Sequence, residues 1–202
     1  MVQGNTVTGN NEAAFYIGGD NTGAQIEDNS VSGGVGAGAE GFQLVNSFYN
    51  DSADLTIAGN TISGQQIGIE GDDAYTGTVI SGNTITGSAI DGIDMTSGAT
   101  GYTISGNNVS GSGTDDYTDA STGSGSGGTG NSYNGNQGGT ASPAGVLAST
   151  AFSITINGAQ SATVTSGASV TLTESGLASA ATGTVAFKDG STTVCSVTLT
   201  GL

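Results

Sequence analysis

The chain has 202 residues, room for one medium domain or two small ones. Only 9% of them are charged, and the charge is one-sided: 17 Asp and Glu against a single Lys, no His, and a net charge of −16. That balance excludes nucleic-acid binding by phosphate neutralisation, attraction to an anionic membrane, His-based triads and His-ligated zinc. No apolar run approaches the ~20 residues of a membrane-spanning helix, and the lone Cys195 excludes an internal disulfide. Met1 is followed by Val-Gln-Gly-Asn, with neither the basic start nor the apolar stretch of a signal peptide. Either the protein stays inside the cell or the chain is a fragment of something longer, and the modules described next favour the fragment.

From Asn5 onward the phrase Asn-x-(Val/Ile)-(Ser/Thr)-Gly recurs at Asn5, Asn29, Asn60, Asn83 and Asn107, with spacings of 24, 31, 23 and 24. Three residues before each Asn stands an aliphatic residue (Val2, Ile26, Ile57, Ile80, Ile104). Two residues after it stands another (Val7, Val31, Ile62, Ile85, Val109). A second apolar pair follows in each repeat, at Phe15 and Ile17, Phe42 and Leu44, Ile69 and Gly71, Ile93 and Met95. The additional residues of the second repeat fall between matched positions, where loops tolerate insertion. Alternation at period 2 among poor helix formers predicts short strands with one face buried. Strands separated by Gly and Asn corners and repeating every ~24 residues predict a chain wound into coils, each stacked on the last at ~4.8 Å in parallel sheets. The five aliphatic residues of each set then form an interior ladder. The Asn column reads as a corner device: Asn tolerates the left-handed conformation of a tight bend, and its amide can bond to those above and below. Five ligand-binding amides are the functional alternative.

Residues 111–145 are Gly- and Ser-rich with almost no apolar side chains and are expected to be mobile, either a linker between domains or a long loop in the fifth coil. In the loop reading Gly145–Ala148 supplies that coil's missing apolar strand. From Ala151 the spacing changes. Strands are expected at 152–156, 169–173, 183–187 and 194–199, with a hairpin turn at Lys188–Ser191 and Cys195 on the inward face. Short antiparallel strands predict a sandwich.

Residues 1–110 resemble the right-handed parallel β-helix repeat of pectate lyases, polygalacturonases, tailspikes and many bacterial surface proteins. The string from Ala181 to Leu199 resembles the middle of a bacterial immunoglobulin-like repeat over about residues 152–202. The implied fold is all-β: a parallel β-helix of about five coils over 1–110, a loop or linker over 111–150, and a partial immunoglobulin-like domain over 151–202. The resemblance implies a secreted or cell-surface protein, joined to further domains of a longer chain. Enzymatic activity does not follow from it. The lyases abstract a proton with Arg or Lys, often beside calcium, and polygalacturonase-like sites add a His and an Arg–Lys pair; residues 1–145 hold none of these.

Carboxylates remain. Stacking the second apolar pair places Tyr16, Gln43, Glu70 and Asp94 in one outward column, with Asp72, Asp73 and Asp91 beside it. Glu70 and Asp94, one coil apart, are candidate acid and nucleophile of a retaining glycosidase. Glu70, Asp72, Asp73, Asp91 and Asp94 are equally candidate calcium ligands, or a solvated acidic face. Asp115, Asp116 and Asp119 form a second, weaker calcium candidate. Tyr16, Phe48, Tyr49, Tyr75 and Tyr102 are aromatics available to a sugar ring, with Phe48-Tyr49 in the inserted part of the second repeat the best contact surface. The expected function is a non-catalytic interaction, adhesion or stalk module contacting a glycan or protein, with no resident cofactor unless calcium binds. A polysaccharide-degrading enzyme using Glu70 and Asp94 is the alternative.

Overall fold

In the computed structural model, residues 1–19, 21–45 and 53–147 are described, together with four strands beyond them. The contact surface expected at Phe48-Tyr49 lies outside the described residues. The first 147 residues wind into six coils. The first comprises β1 (Val2–Gln3), β2 (Thr6–Thr8) and β3 (Phe15–Gly18); the second β4 (Gln25–Glu27), β5 (Ser30–Ser32) and β6 (Glu40–Val45). The third has β7 (Thr56–Ala58), β8 (Thr61–Ser63) and β9 (Ile67–Gly71); the fourth β10 (Val79–Ser81), β11 (Thr84–Thr86) and β12 (Ile93–Met95). The fifth has β13 (Thr103–Ser105), β14 (Asn108–Ser110) and β15 (Tyr117–Asp119); the sixth β16 (Ser132–Asn134) and β17 (Ala141–Ser142), followed by a 3₁₀ turn over Ala144–Leu147.

Three parallel sheets run along the stack. The first is β1-β4-β7-β10-β13-β16, the second β2-β5-β8-β11-β14, the third β3-β6-β9-β12-β15-β17. Registers align the repeats residue for residue: Ile26, Ile57, Ile80 and Ile104 are successive partners in the first sheet, and Val31, Ile62, Ile85 and Val109 in the second. In the third, Phe15 pairs with Phe42, Phe42 with Ile69, Ile69 with Ile93 and Ile93 with Tyr117. All of these aliphatic residues from Ile26 onward are buried and belong to a single apolar core. Phe15 and Phe42 stack with ring centres 4.7 Å apart. The burial of one side chain per three-residue strand explains how so short a strand persists: each is held by two neighbours and anchored by one interior aliphatic group.

Two details of the corners differ from the sequence reading. The left-handed residue is not the repeated Asn but the one before it: Gly4, Asp28, Gly59, Gly82 and Gly106 have φ between 54° and 69°. Asn itself serves the corner through its amide. The second difference concerns residues 111–145. Instead of a loop or linker awaiting a strand at Gly145–Ala148, Tyr117–Asp119 forms the third strand of the fifth coil, and β16 and β17 continue two sheets into a sixth. Two tyrosines take the place of aliphatics: Tyr117 beside Ile93 and Tyr133 beside Ile104, packed edge to face at 6.3 Å. Low apolar content misleads here because one large ring per strand fills the tube. Ala144–Leu147 is a 3₁₀ turn whose Val146 is buried in the core.

The chain divides into two compact units, Met1–Ala148 and Ser149–Leu202. In the second, β18 (Ser153–Ile156) pairs antiparallel with β19 (Leu172–Ser175), and β20 (Thr182–Asp189) with β21 (Thr192–Thr200), with a register shift between Phe187 and Lys188. Cys195 lies in β21 opposite Phe187.

Candidate functional site

The third sheet gives its inward positions to the core and its outward positions to solvent. Tyr16, Gln43, Glu70, Asp94 and Thr118 are successive partners along it, and Tyr16 is 63% exposed. Gln43 links the column laterally: its Nε2 donates to Glu70 Oε2 at 3.1 Å and to Asp72 Oδ2 at 3.3 Å. Glu40, at the start of β6, joins from the second coil. Burial and the neighbouring Glu70 push its carboxyl up to about 7, and in its neutral form it donates a hydrogen bond to Glu70. Glu70 is itself raised, chiefly by desolvation and then by Asp72. Asp72 is raised by burial, against the Gln43 amide that favours its charge. Asp94 is pushed up to about 6 by burial, then by Asp91, Glu70, Asp72 and Asp119. Residues 1–147 contain no Lys, Arg or His to neutralise the row, so the crowded carboxylates are all pushed upward, Glu40 and Asp94 furthest toward neutrality.

Glu70, Asp72 and Asp94 are therefore brought together, with Glu40 as a fourth member that the sequence pattern did not single out. It lies just ahead of the aligned apolar pair of the second repeat, opposite Ile67, so no column of acids marks it. Asp91 contributes to the field at Asp94, and its Oδ1 accepts the Asp115 amide at 2.9 Å. Asp73 adjoins Asp72 and its carbonyl accepts Tyr102 Oη. Among the described residues no three Asp, Glu, Cys or His stand close enough to hold a metal ion.

Asp116 and Asp119 are engaged by the protein. Asp116 accepts the amides of Ser112 and Gly139, at 3.2 and 2.7 Å. Asp119 accepts the Ser121 amide and hydroxyl, Asn131 Nδ2 and Tyr133 Oη, between 2.5 and 3.0 Å. These two carboxylates pin the glycine-rich coil. Tyr75 and Tyr102 are buried ring to ring in the core, 6.1 Å apart, and offer no surface to a sugar.

Asn5, Asn29, Asn60, Asn83 and Asn107 stand in a continuous stack between the first and second sheets. Each sends both its backbone N–H and its Nδ2 to the Oδ1 of the next, at 2.9 to 3.0 Å. The stack extends to Asn136, which accepts both donors of Asn107 at 3.0 Å. Sequence reasoning stopped at Asn107 because Tyr133 and Gly138 stand where the aliphatic flanks had been. With its atoms bonded internally, this column is the frame that sets the register of the carboxylate row.

No curated protein and no solved structure matches the chain. A family profile described as a right handed beta helix region matches residues 1–109. With a six-coil parallel solenoid underlying that match, the chain belongs to the right-handed β-helix family.

Proposed function

We propose that this β-helix is a non-catalytic interaction module of a secreted or surface-anchored protein, and that the outer face of its third sheet contacts a neutral glycan. The observation that supports this reading is the column itself: an exposed tyrosine at one end, then an amide and carboxylates on successive coils. Such groups supply a ring for a sugar face and acceptors for sugar hydroxyls. The second unit, with its two antiparallel pairs, is in this reading an immunoglobulin-like repeat that spaces the module from neighbouring domains. The test is retention of the full chain on a neutral and acidic glycan array. Neutral glycans are expected to hold it, with loss of signal in Tyr16→Ala and weakening in Glu70→Gln. Absence of retention on every glycan makes the solenoid a spacer and removes the reading.

A second reading, a polysaccharide-degrading enzyme, is favoured by one observation: Glu40, raised to about 7, keeps a proton beside Glu70 at neutral pH, with Asp94, raised to about 6, in the same row. New reducing ends released from a polysaccharide, and lost in Glu70→Gln, support it. Calcium enters through the same residues, Glu70, Asp72, Asp73, Asp91 and Asp94. A calcium-dependent rise in Tm that Asp94→Asn abolishes supports binding, and no rise at millimolar calcium removes it.

A further inference from the structure

The second sheet carries an array that the carboxylate row does not involve. Its central residues, from Val31 to Val109, point into the core, so the residues on either side of each face outward. One outer row reads Thr6, Ser30, Thr61, Thr84 and Asn108 in unbroken register. The other reads Thr8, Ser32, Ser63, Thr86 and Ser110. None of these side chains makes a hydrogen bond to another described residue, in contrast to the Asn column one corner away. Nor does the face carry a charge or an aromatic ring, although the chain has a net charge of −16.

The other two sheets are different. The equivalent positions of the first include Glu27, Ala58 and Val79, and the third carries the carboxylates. Two straight rows of hydroxyls, ended on one side by the Asn108 amide and without partners among the described residues, are thus confined to one face. The spacing of that face is set by backbone geometry, about 4.8 Å from coil to coil and about 6.7 Å between the two rows.

We propose that this face binds an ordered water lattice, the surface of an ice crystal. A tetrahedral network of O–H···O bonds of about 2.75 Å repeats its oxygens at about 4.5 Å and about 7.3 Å. The rows match both repeats to within about a tenth, so the mismatch accumulated over five coils is little more than about 1 Å. Each hydroxyl donates one bond and accepts two, three of the four bonds of a lattice oxygen, with its own carbon in place of the fourth. Threonine at positions 6, 8, 61, 84 and 86 adds an apolar methyl beside each hydroxyl, which disfavours disordered water on the face. An uncharged lattice suits an uncharged face. A polysaccharide surface is the other regular array of hydroxyls, but its sugar rings present apolar faces, and this sheet has no aromatic side chain to cover one.

The experiment is partition of the full chain into slowly grown polycrystalline ice, with osmometry of single crystals for the gap between melting and freezing. The wild type and the first-sheet variant Thr103→Tyr are expected to enter the ice and facet the crystals. Thr61→Tyr and Thr84→Tyr are expected to remain in the liquid at an unchanged Tm, since both side chains are exposed. Exclusion of the wild type from ice overturns the proposal. So does equal incorporation of all variants, and so does retention on crystalline cellulose or chitin without entry into ice. Glycan retention by the third sheet is unaffected in Thr84→Tyr, so the two faces fail or succeed separately.

Discussion

The solenoid turns twice around its second sheet, and the two corners are built on different principles. Between the first and second sheets every corner is two residues long, a left-handed residue followed by Asn, as at Gly82-Asn83. Each buried Asn amide is saturated: Asn83 donates to Asn107 Oδ1 and to the Ile57 carbonyl, and accepts two bonds from Asn60. Between the second and third sheets the corner varies, spanning residues 33–39 in the second coil and 64–66 in the third. Its side chains change from coil to coil, and Asn10 Oδ1, Gln65 Oε1, Ser88 Oγ and Ser112 Oγ are buried without a protein partner. A corner in which each member bonds its equivalents above and below fixes both residue type and length. Where no repeated side chain bonds its own equivalents and backbone contacts join most of the coils, as from Ala89 N to Gln65 O, insertion and substitution are tolerated.

Just past the variable corner, at the start of the third-sheet strand, one position is nevertheless strict, and there the largest effect is expected. A Cβ on Gly68 meets the Gly92 carbonyl oxygen at 2.4 Å and Ile85 Cγ2 at 2.5 Å. Gly68→Ala should cost about 3 kcal/mol or more in urea unfolding, because a backbone atom of the next coil has to move. Asn83→Ala should cost about 2–3 kcal/mol by orphaning the Asn60 donors and the Ile57 carbonyl; a loss below ~0.5 kcal/mol would remove the distinction between the corners. Acidity gives the next effect. Glu40 and Asp94 bind protons more tightly folded than unfolded, so the folded state is favoured below pH ~4 and that advantage disappears as pH rises through about 6 and about 7. Tm should fall between about pH 4 and about pH 7, and Glu40→Gln should flatten that fall, by on the order of 1 kcal/mol once solvent screening is allowed for. The smallest change is Ser88→Ala, expected to raise stability by roughly 0.5 kcal/mol because it removes a buried, unpartnered hydroxyl.

The coiled architecture was legible in the sequence because stacking makes equivalent positions share one environment: Ile57, Ile80 and Ile104 repeat since each packs on the others. The same logic reaches the outward column, as Glu70 and Asp94 inherit their register from Ile69 and Ile93. It fails where chemistry substitutes without changing position. Tyr117 and Tyr133 occupy ladder sites in a segment of glycine and serine, and Asn136 keeps its place in the stack after losing both aliphatic neighbours. It also fails for Glu40, which reaches Glu70 from outside any column. A period reports what is repeated along the axis and is silent on contacts that one coil makes alone.

The sense of the amide column has a consequence for assembly. Every rung passes two N–H groups toward the C-terminal coil and turns its oxygen the other way, from Asn5 through to Asn136. The solenoid therefore has a polar axis. Two coils brought together with their accepting ends facing set oxygen against oxygen at this corner, whereas a coil arriving with its paired donors foremost completes the row, so stacking of coils has one permitted sense.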